Sequence, residues 1–233
     1  MYDASGGLVT TLAGGKRRGL NRVEWPMRSR APRMAPGIGI IPSVFSLLGP
    51  RVLEGTYAVK LVRGTEMLAS EILLVPDPRS PHTAADRVAQ RDTALKLYGL
   101  VERLASLVSS LDGVRNQTRA RLGTLPAGDT LATRLGVFAA ALDDERAALV
   151  SVRQGEGISA DEKLREELGL LYGNVNGYEG RPTESQVRRM AVLAKQLDEA
   201  IARFERLVAA DLPALNADLA ARKMDGITVK GGR

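Results

Sequence analysis

Two acidic clusters, at positions 143–145 and 166–167, are the residues of this sequence best suited to acid–base or metal chemistry. Helical bundles that bind pairs of iron or manganese ions combine inward-facing glutamates with two Glu-x-x-His motifs. The chain has a single histidine, His82, which lies outside both clusters. We therefore expect no metal and no other cofactor, and we interpret both clusters as solvated helix faces. Glu145 alone falls on an apolar stripe, where it either pairs with an arginine or marks a drift of the stripe.

Other catalytic chemistry lacks its residues too. The 233 residues include no cysteine, which excludes disulfides, thiol nucleophiles and thiolate metal sites. A single histidine also excludes a histidine metal cluster, and no glycine-rich phosphate-binding loop comes before a helix. The segment 174–178, with two asparagines and a tyrosine, is interpreted as a polar turn between helices. The sequence therefore predicts that the chain is not an enzyme.

The positive charge of the chain is concentrated near its N-terminus. The formal net charge is +6, and residues 1–75 carry ten Lys and Arg against five Asp and Glu. The basic run 16–18 is either an ordinary exposed turn or a contact for an anionic surface, such as a polysaccharide or another domain. Because the basic residues are not interleaved with aromatic ones and form no basic arm, we expect no nucleic-acid binding.

The sequence has no pattern typical of a membrane-spanning helix or of a signal peptide. No stretch reaches the roughly 18 apolar residues that a membrane-spanning helix needs. The first seven residues have neither the charged nor the apolar region of a signal peptide. We expect a chain that does not insert into a membrane and that carries no signal peptide of its own.

Residues 1–76 have the period-two pattern of β-strands, broken by glycine and proline. Strands are predicted at 8–12, 20–27, 55–63 and 67–75, and the last two form a hairpin. A Pro- and Gly-rich loop, 28–50, separates the two pairs and is unusually long for a compact domain. Its second half is apolar, and this surface either packs beneath the sheet or awaits a partner. The candidate interaction residues are Ile38, Ile40, Ile41, Val44, Phe45, Leu47 and Leu48.

The rest of the chain has the three- and four-residue spacing of amphipathic helices. After an extended linker at 77–82, residues 83–224 contain four apolar stripes, the first running through Ala94, Leu97, Val101, Leu104, Val108 and Leu111. Capping boxes at 159–162 and 183–186 mark helix starts, and Pro213 is expected to kink or restart the last helix. An antiparallel bundle of about four helices is favoured over a coiled-coil hairpin. Residues 225–233 are expected to be a disordered tail.

The fold class that follows is α+β, with an incomplete immunoglobulin-like antiparallel β-sandwich followed by the helical bundle. A complete sandwich of this type needs about seven strands and about 100 residues, whereas at most five short strands fit into residues 1–76. We expect the chain to be a fragment, or its missing strands to come from another polypeptide, because an exposed sheet edge is usually avoided.

Three stretches carry a resemblance to a known family. They are Tyr-Asp-Ala-Ser-Gly at 2–6, Gly-Leu-Asn-Arg-Val-Glu-Trp at 19–25 and Gly-Thr-Tyr-Ala-Val-Lys-Leu-Val at 55–62. With the Pro-Thr pair at 182–183 and Leu-Pro-Ala-Leu-Asn at 212–216, they resemble the C-terminal region of secreted bacterial BNR-repeat or sortilin-like β-propeller proteins. These are often labelled glycosyl hydrolases, and a FlgD-like immunoglobulin domain follows their propeller. The resemblance covers nearly the whole chain.

This resemblance implies an accessory role and no catalytic residue. The propeller and its Asp-box repeats are absent, so nothing hydrolytic carries over to this sequence. The implied function is that of a non-catalytic C-terminal region in a secreted or periplasmic protein, with the upstream propeller of the parent protein, or another protein, as its partner. The alternative is a free-standing helical-bundle module for protein–protein interaction.

Overall fold

A computed structural model describes residues 1–37, 43–151 and 162–229 of the chain. Three of the candidate interaction residues, Ile38, Ile40 and Ile41, lie outside these described ranges. The serine that opens the predicted capping box at 159–162 also lies outside them, as does the end of the predicted tail, 230–233.

The described residues form an α+β structure with one two-stranded antiparallel sheet and four helices. The strands are β1 (Gly55–Arg63) and β2 (Glu66–Leu74). The helices are α1 (Ala84–Leu122), α2 (Thr130–Leu149), α3 (Leu164–Gly177) and α4 (Glu184–Ala221), and a 3₁₀ turn covers Val44–Leu47. This confirms the α+β class. A full immunoglobulin-like sandwich is not formed by the described residues.

Two compact units are built from segments that interleave along the sequence. The first unit comprises Met1–Pro32, Ser43–Tyr98 and Tyr172–Val187. The second unit comprises the described residues of Arg33–Pro42, Gly99–Leu171 and Arg188–Arg233. The first unit therefore contains the sheet and parts of three helices.

The predicted hairpin is present in the first unit. β1 pairs with β2 from Gly55 opposite Leu74 to Arg63 opposite Glu66. The tight turn needs a residue with a positive φ, and Gly64 supplies it at 60°. The strands predicted at 8–12 and 20–27 do not form. Instead, Leu8 makes an isolated bridge to Tyr2, and Arg28, just after the second predicted strand, makes one to Arg51.

Apolar stripes explain the helices. The α1 positions named from the sequence pattern, Ala94 to Leu111, are buried, and α2 and α3 bury apolar stripes of their own. Arg115 pairs with Asp143, and Arg146 pairs with Asp112, so α1 and α2 run antiparallel. In α4, Leu193, Leu197 and Ala200 are buried, while Val187 near the start of the helix is exposed.

Pro213 does not interrupt α4, which continues through it to Ala221. A proline inside a helix loses one backbone hydrogen bond and crowds the preceding turn. Burial of Leu212, Leu215 and Leu219 holds the helix on both sides of the proline. At the other end of α4 the predicted capping box is present: the Gln186 amide donates to Thr183 Oγ1 over 3.2 Å, and the Thr183 amide donates to Gln186 Oε1 over 2.9 Å.

Residues 225–229, assigned to a tail from the sequence, are anchored in the second unit. Ile227 is buried, and Asn216 bonds its backbone twice, accepting from the Ile227 amide over 2.7 Å and donating to the Ile227 carbonyl over 2.9 Å. The Thr228 amide donates to Gln117 Oε1 over 2.9 Å. A single apolar residue has no periodicity, which is why the pattern gave no sign of this contact.

Candidate functional site

Each acidic cluster is engaged with arginines in the second unit. Asp143 accepts from both Arg115 and Arg119. Glu145 accepts from Arg203 at 3.2 Å, in agreement with the first of its two interpretations. The clusters thus join neighbouring helices through ion pairs.

The second cluster behaves in the same way. Glu167 accepts from Arg189 at 2.7 Å, and the buried Glu166 accepts from Arg165 at 2.6 Å. Among the described residues, no group of three or more histidines and acids could hold a metal ion.

Every carboxyl group of the described residues with a resolved shift has a pKa below its usual value. Desolvation works against the shift at Asp143, but Arg115 and Arg119 still lower the pKa of that carboxyl. The Arg87 guanidinium lowers the pKa of Glu54, which it binds through two bonds of 2.8 and 3.1 Å. General acids that act near neutral pH need a raised carboxyl pKa. These groups are therefore suited to ion pairing.

Four of the seven predicted interaction residues are described, and they lie in the first unit, on the 3₁₀ turn and the residue after it. Val44 and Leu47 are exposed, at 65% and 58%, and Leu48 is half-buried. Phe45 is at the border of exposure, at 37%, and its ring lies against Gly177 of α3. The structure thus splits these residues: Val44 and Leu47 face solvent, whereas Phe45 helps to hold the turn.

A buried polar clamp fixes this turn from within. The Arg28 guanidinium donates to the Gly49 carbonyl over 2.9 Å, to Asn176 Oδ1 over 2.8 Å and to the Asn176 carbonyl over 3.2 Å. Asn176 Nδ2 in turn donates to the carbonyls of Phe45 and Leu48 over 2.9 and 3.0 Å. Burial, with the nearby Arg51 charge, lowers the pKa of Arg28. A buried charge of this kind persists only when hydrogen bonds compensate it.

Helix α3 receives the turn through glycines and a tyrosine. The Tyr172 hydroxyl donates to the Leu48 carbonyl over 2.6 Å, and burial raises the pKa of that hydroxyl, which keeps it a donor. A methyl group on Gly177 would lie 2.6 Å from the Phe45 ring. One on Gly173 would lie 2.6 Å from Ser43 Oγ. The absence of side chains at both positions therefore lets the turn approach the helix.

The base of the long loop is also pinned. The Ser29 amide donates to the Pro50 carbonyl over 2.9 Å, and the Val52 amide donates to the Met27 carbonyl over 3.0 Å. The Trp25 indole donates to the Arg28 carbonyl over 3.0 Å, and its ring meets Tyr57 of β1 edge-on at 5.1 Å. The described part of the loop in the first unit is thus supported, and it presents Val44 and Leu47.

The hairpin exposes apolar side chains on both of its faces. A two-stranded sheet normally needs a third strand or a packed face to be stable. Alternation along β1 puts Leu61 and Val62 on opposite faces, yet both are exposed. The exposed apolar residues of the hairpin and its end are Leu61, Val62, Met67, Leu68, Ile72, Leu73 and Val75. We call this set the hairpin surface.

Further concave features occur in both units. In the second unit, a groove of about 470 Å³ is lined by Leu107, Ile201 and Phe204 among others. In the first unit, a cavity of about 380 Å³ adjoins Arg51 and the Arg87–Glu54 pair. A second cavity of the first unit, of about 370 Å³, lies beside the outer half of β1.

Sequence reasoning missed Arg28 and Asn176. Arg28 counted only as part of the basic excess, and Asn176 was placed in a polar turn, whereas α3 continues to Gly177. The four-residue spacing of Gly173 and Gly177 was the available signal, since small residues at that spacing leave room for close backbone approach on a helix. The run 16–18 is exposed, which is compatible with both of its interpretations.

No protein-family model, curated protein or solved structure matches this chain. In the part of the chain that the structure describes, no helix is both long enough and apolar enough to cross a membrane.

Proposed function

We propose that this chain is a non-catalytic accessory region that binds a neighbouring protein domain through its first unit. The partner we expect is a β-propeller of a secreted protein, as the resemblance at 2–6, 19–25 and 55–62 implies. The observation that carries the proposal is the hairpin surface. Exposed apolar residues concentrated on one element of a folded protein, here on both faces of the hairpin, are typical of interaction sites.

The loop turn supports the same proposal. A binding surface gains affinity when it is ordered before its partner arrives. Val44 and Leu47 project from a backbone that Arg28, Tyr172 and Asn176 hold through buried or partly buried hydrogen bonds. Two exposed apolar features, the hairpin surface and this turn, therefore belong to the first unit, which also carries most of the basic excess.

The ion pairs of the second unit fit an accessory role better than a catalytic one. The arginine-bound carboxylates of α2 and α3 are held between helices, and the shifted carboxyl pKa values lie below the range useful for proton transfer at neutral pH. We propose that this unit has a structural role.

A matched pair of substitutions tests the proposal. Val62 of the hairpin surface and Val137 of α2 are equally exposed, at 67% and 68%. The binding partner is a recombinant propeller from a protein of the resembling family with its own C-terminal region deleted, and affinity is measured by isothermal titration calorimetry. Val62→Ser combined with Leu73→Ser should weaken binding by about tenfold or more, since each buried apolar side chain contributes about 1.5–3 kcal/mol.

Val137→Ser should leave the affinity within about twofold. Circular dichroism at 222 nm serves as the control that both variants keep their helices. Absence of binding by the unmodified chain would refute the proposed partner. Equal loss in the hairpin variant and in Val137→Ser would refute the hairpin surface as the contact.

The groove of the second unit favours the second candidate function, a helical module that binds proteins. Its apolar lining, Leu107, Ile201 and Phe204, and its volume of about 470 Å³ suit an apolar side chain or helix of a partner. Under this function, Ile201→Ser abolishes association while the hairpin variants have no effect. Sedimentation of the full chain as an inert monomer with no partner affinity would count against it.

A further inference from the structure

Residues 1–2 pair with β1 through a single residue pair, Tyr2 and Ala58. The Tyr2 amide donates to the Ala58 carbonyl over 2.8 Å, and the Ala58 amide donates to the Tyr2 carbonyl over 2.9 Å. On the other side of this short strand, the Val9 amide donates to the Met1 carbonyl over 2.9 Å, and the Met1 ammonium donates to the Thr10 carbonyl over 2.9 Å. The order across the first unit is therefore the 8–10 segment, residues 1–2, β1 and β2.

The remaining outer edge of β1 is open. In an antiparallel sheet, a residue that exchanges two hydrogen bonds with a residue of one neighbouring strand points its N–H and its C=O toward that strand. The next residue along the chain points its N–H and C=O toward the opposite side. Ala58 faces Tyr2, so Lys60 and Val62 also point their amides and carbonyls toward the outer edge. Within the described ranges, no backbone group bonds to the outward groups of Lys60 or Val62.

A cavity lies along this open edge. Its volume is about 370 Å³, and it is bounded by β1 on one side and by the 8–14 segment on the other. Its apolar lining includes Leu8, Leu12, Val23 and Leu61. The cavity is thus a trough in line with residues 1–2, with unpaired backbone groups on one wall and apolar side chains around it. We call it the β1 trough.

We propose that the β1 trough accepts an extended strand of a partner protein, which pairs antiparallel with Lys60–Val62 and continues the line of Met1 and Tyr2. This inference rests on the proposed function, because it names the way in which the partner binds. Strand addition to an open sheet edge derives its affinity from backbone hydrogen bonds and its specificity from alternate side chains.

The neighbouring side chains specify the incoming strand. Directly opposite residues share a face, so the partner residue opposite Lys60 lies on the face of Tyr2, whose ring is 4.2 Å from Lys60 Nζ. An acidic residue there complements the lysine. The partner residue opposite Leu61 lies on the other face, beside the buried Met1, and should be apolar. The expected strand therefore has an acidic or polar residue alternating with apolar ones.

Hydrogen exchange of single amides tests this pairing. The probe is a synthetic peptide, acetyl-Thr-Val-Glu-Val-Thr-Val-Thr-amide, added to the full chain and followed by NMR. In the free chain, the Lys60 and Val62 amides should exchange rapidly, while those of Val59 and Leu61, which face β2, are protected. Saturating peptide should slow the Lys60 and Val62 amides by about tenfold or more.

Two proline variants provide the matched comparison. Val62→Pro removes an outward amide of β1, and Ala69→Pro removes an outward amide of β2, and neither amide is used between the two strands. Val62→Pro should abolish the peptide effect, and Ala69→Pro should retain it. Preserved protection of Leu61 in both variants checks that the hairpin still forms. Lys60→Glu offers a milder test, with at least fivefold weaker binding expected.

The other outcomes overturn either the inference or the proposed function. Peptide protection of Ala69 and Glu71 would assign the site to the outer edge of β2. Protection of Lys60 and Val62 that rises with protein concentration in the absence of peptide would assign the trough to a second copy of this chain. Unchanged exchange at saturating peptide would exclude strand addition. If the propeller binds through the hairpin surface while Lys60 and Val62 still exchange rapidly, the inference fails and the proposed function stands. If the peptide binds the trough but no propeller binds, the proposed function fails instead.

Discussion

Replacing Asn176 by alanine should destabilise the first unit by about 3 kcal/mol. The substitution removes a charged hydrogen bond, because Arg28 Nη1 loses its 2.8 Å contact with Asn176 Oδ1. A hydrogen bond to a charged group contributes about 1.5–3 kcal/mol. The substitution also leaves the Phe45 carbonyl with only a long hydrogen bond, of 3.4 Å, from the Leu48 amide. The weaker pairing of this carbonyl adds about 1 kcal/mol to the loss of stability.

The Leu48 carbonyl adds little to this loss of stability, because it still accepts a hydrogen bond from the Tyr172 hydroxyl when the Asn176 side chain is removed. Tyr172→Phe alone should therefore cost only about 1 kcal/mol, since Asn176 still serves the same carbonyl. The double variant leaves that carbonyl without either donor. Its loss of stability should exceed the sum of the single losses by about 1 kcal/mol, as expected for residues that share a partner.

Urea unfolding measures these losses, and the chain has a convenient reporter. Trp25 is the single tryptophan, and it lies in the first unit against Tyr57. Its fluorescence therefore follows the first unit, while circular dichroism at 222 nm follows the helices. Asn174→Ala is the matched control, because Asn174 is exposed on the same helix, and it should change stability by no more than about 0.5 kcal/mol. A loss below about 1 kcal/mol for Asn176→Ala, or one equal to that of Asn174→Ala, would refute the clamp.

Three further predictions follow from the same structure. Gly173→Ala should lower the free energy of unfolding in urea by about 1–2 kcal/mol, because its methyl group would crowd Ser43. The control Gly136→Ala, whose methyl group meets nothing within 4 Å, should raise it by about 0.5–1 kcal/mol. Stabilisation by both substitutions would contradict close packing of the 3₁₀ turn on α3. Hydrogen bonds from Thr83, and then Arg181, lower the pKa of Asp86 to about 2 from 3.8, so its contribution is complete above about pH 4 and is lost as the pH falls towards 2. Asp86→Asn should therefore flatten the fall of stability between pH 4 and pH 2, and an unchanged slope would show that the ion pair does not persist in solution. Ile227→Ala should lower the free energy of unfolding, measured by heat or urea, by about 2–4 kcal/mol. The control Val229→Ala, at an exposed position, should lower it by less than about 0.5 kcal/mol. Equally small effects of both substitutions would show that residues 225–229 are not anchored in solution.

The sequence by itself determined the helices and the hairpin. Helical periodicity and capping are local signals, so the buried stripes of α1 to α3 and the box at Thr183 were readable from spacing alone. The hairpin was equally readable, since Gly64 and alternation along 55–63 are local features. The same local signals gave the wrong strands at 8–12 and 20–27, because a strand exists only when a neighbour pairs with it.

The tertiary structure alone decided the clamp, the anchored 225–229 segment and the open β1 edge. Arg28 and Asn176 are 148 positions apart, and neither has a neighbour in sequence that signals the other. Pro213 shows the same limit, since burial of the flanking leucines outweighs a local preference that predicted a kink. The division has one physical cause: periodicity records which face of an element is buried, whereas buried polar partners and free sheet edges depend on which distant segments meet.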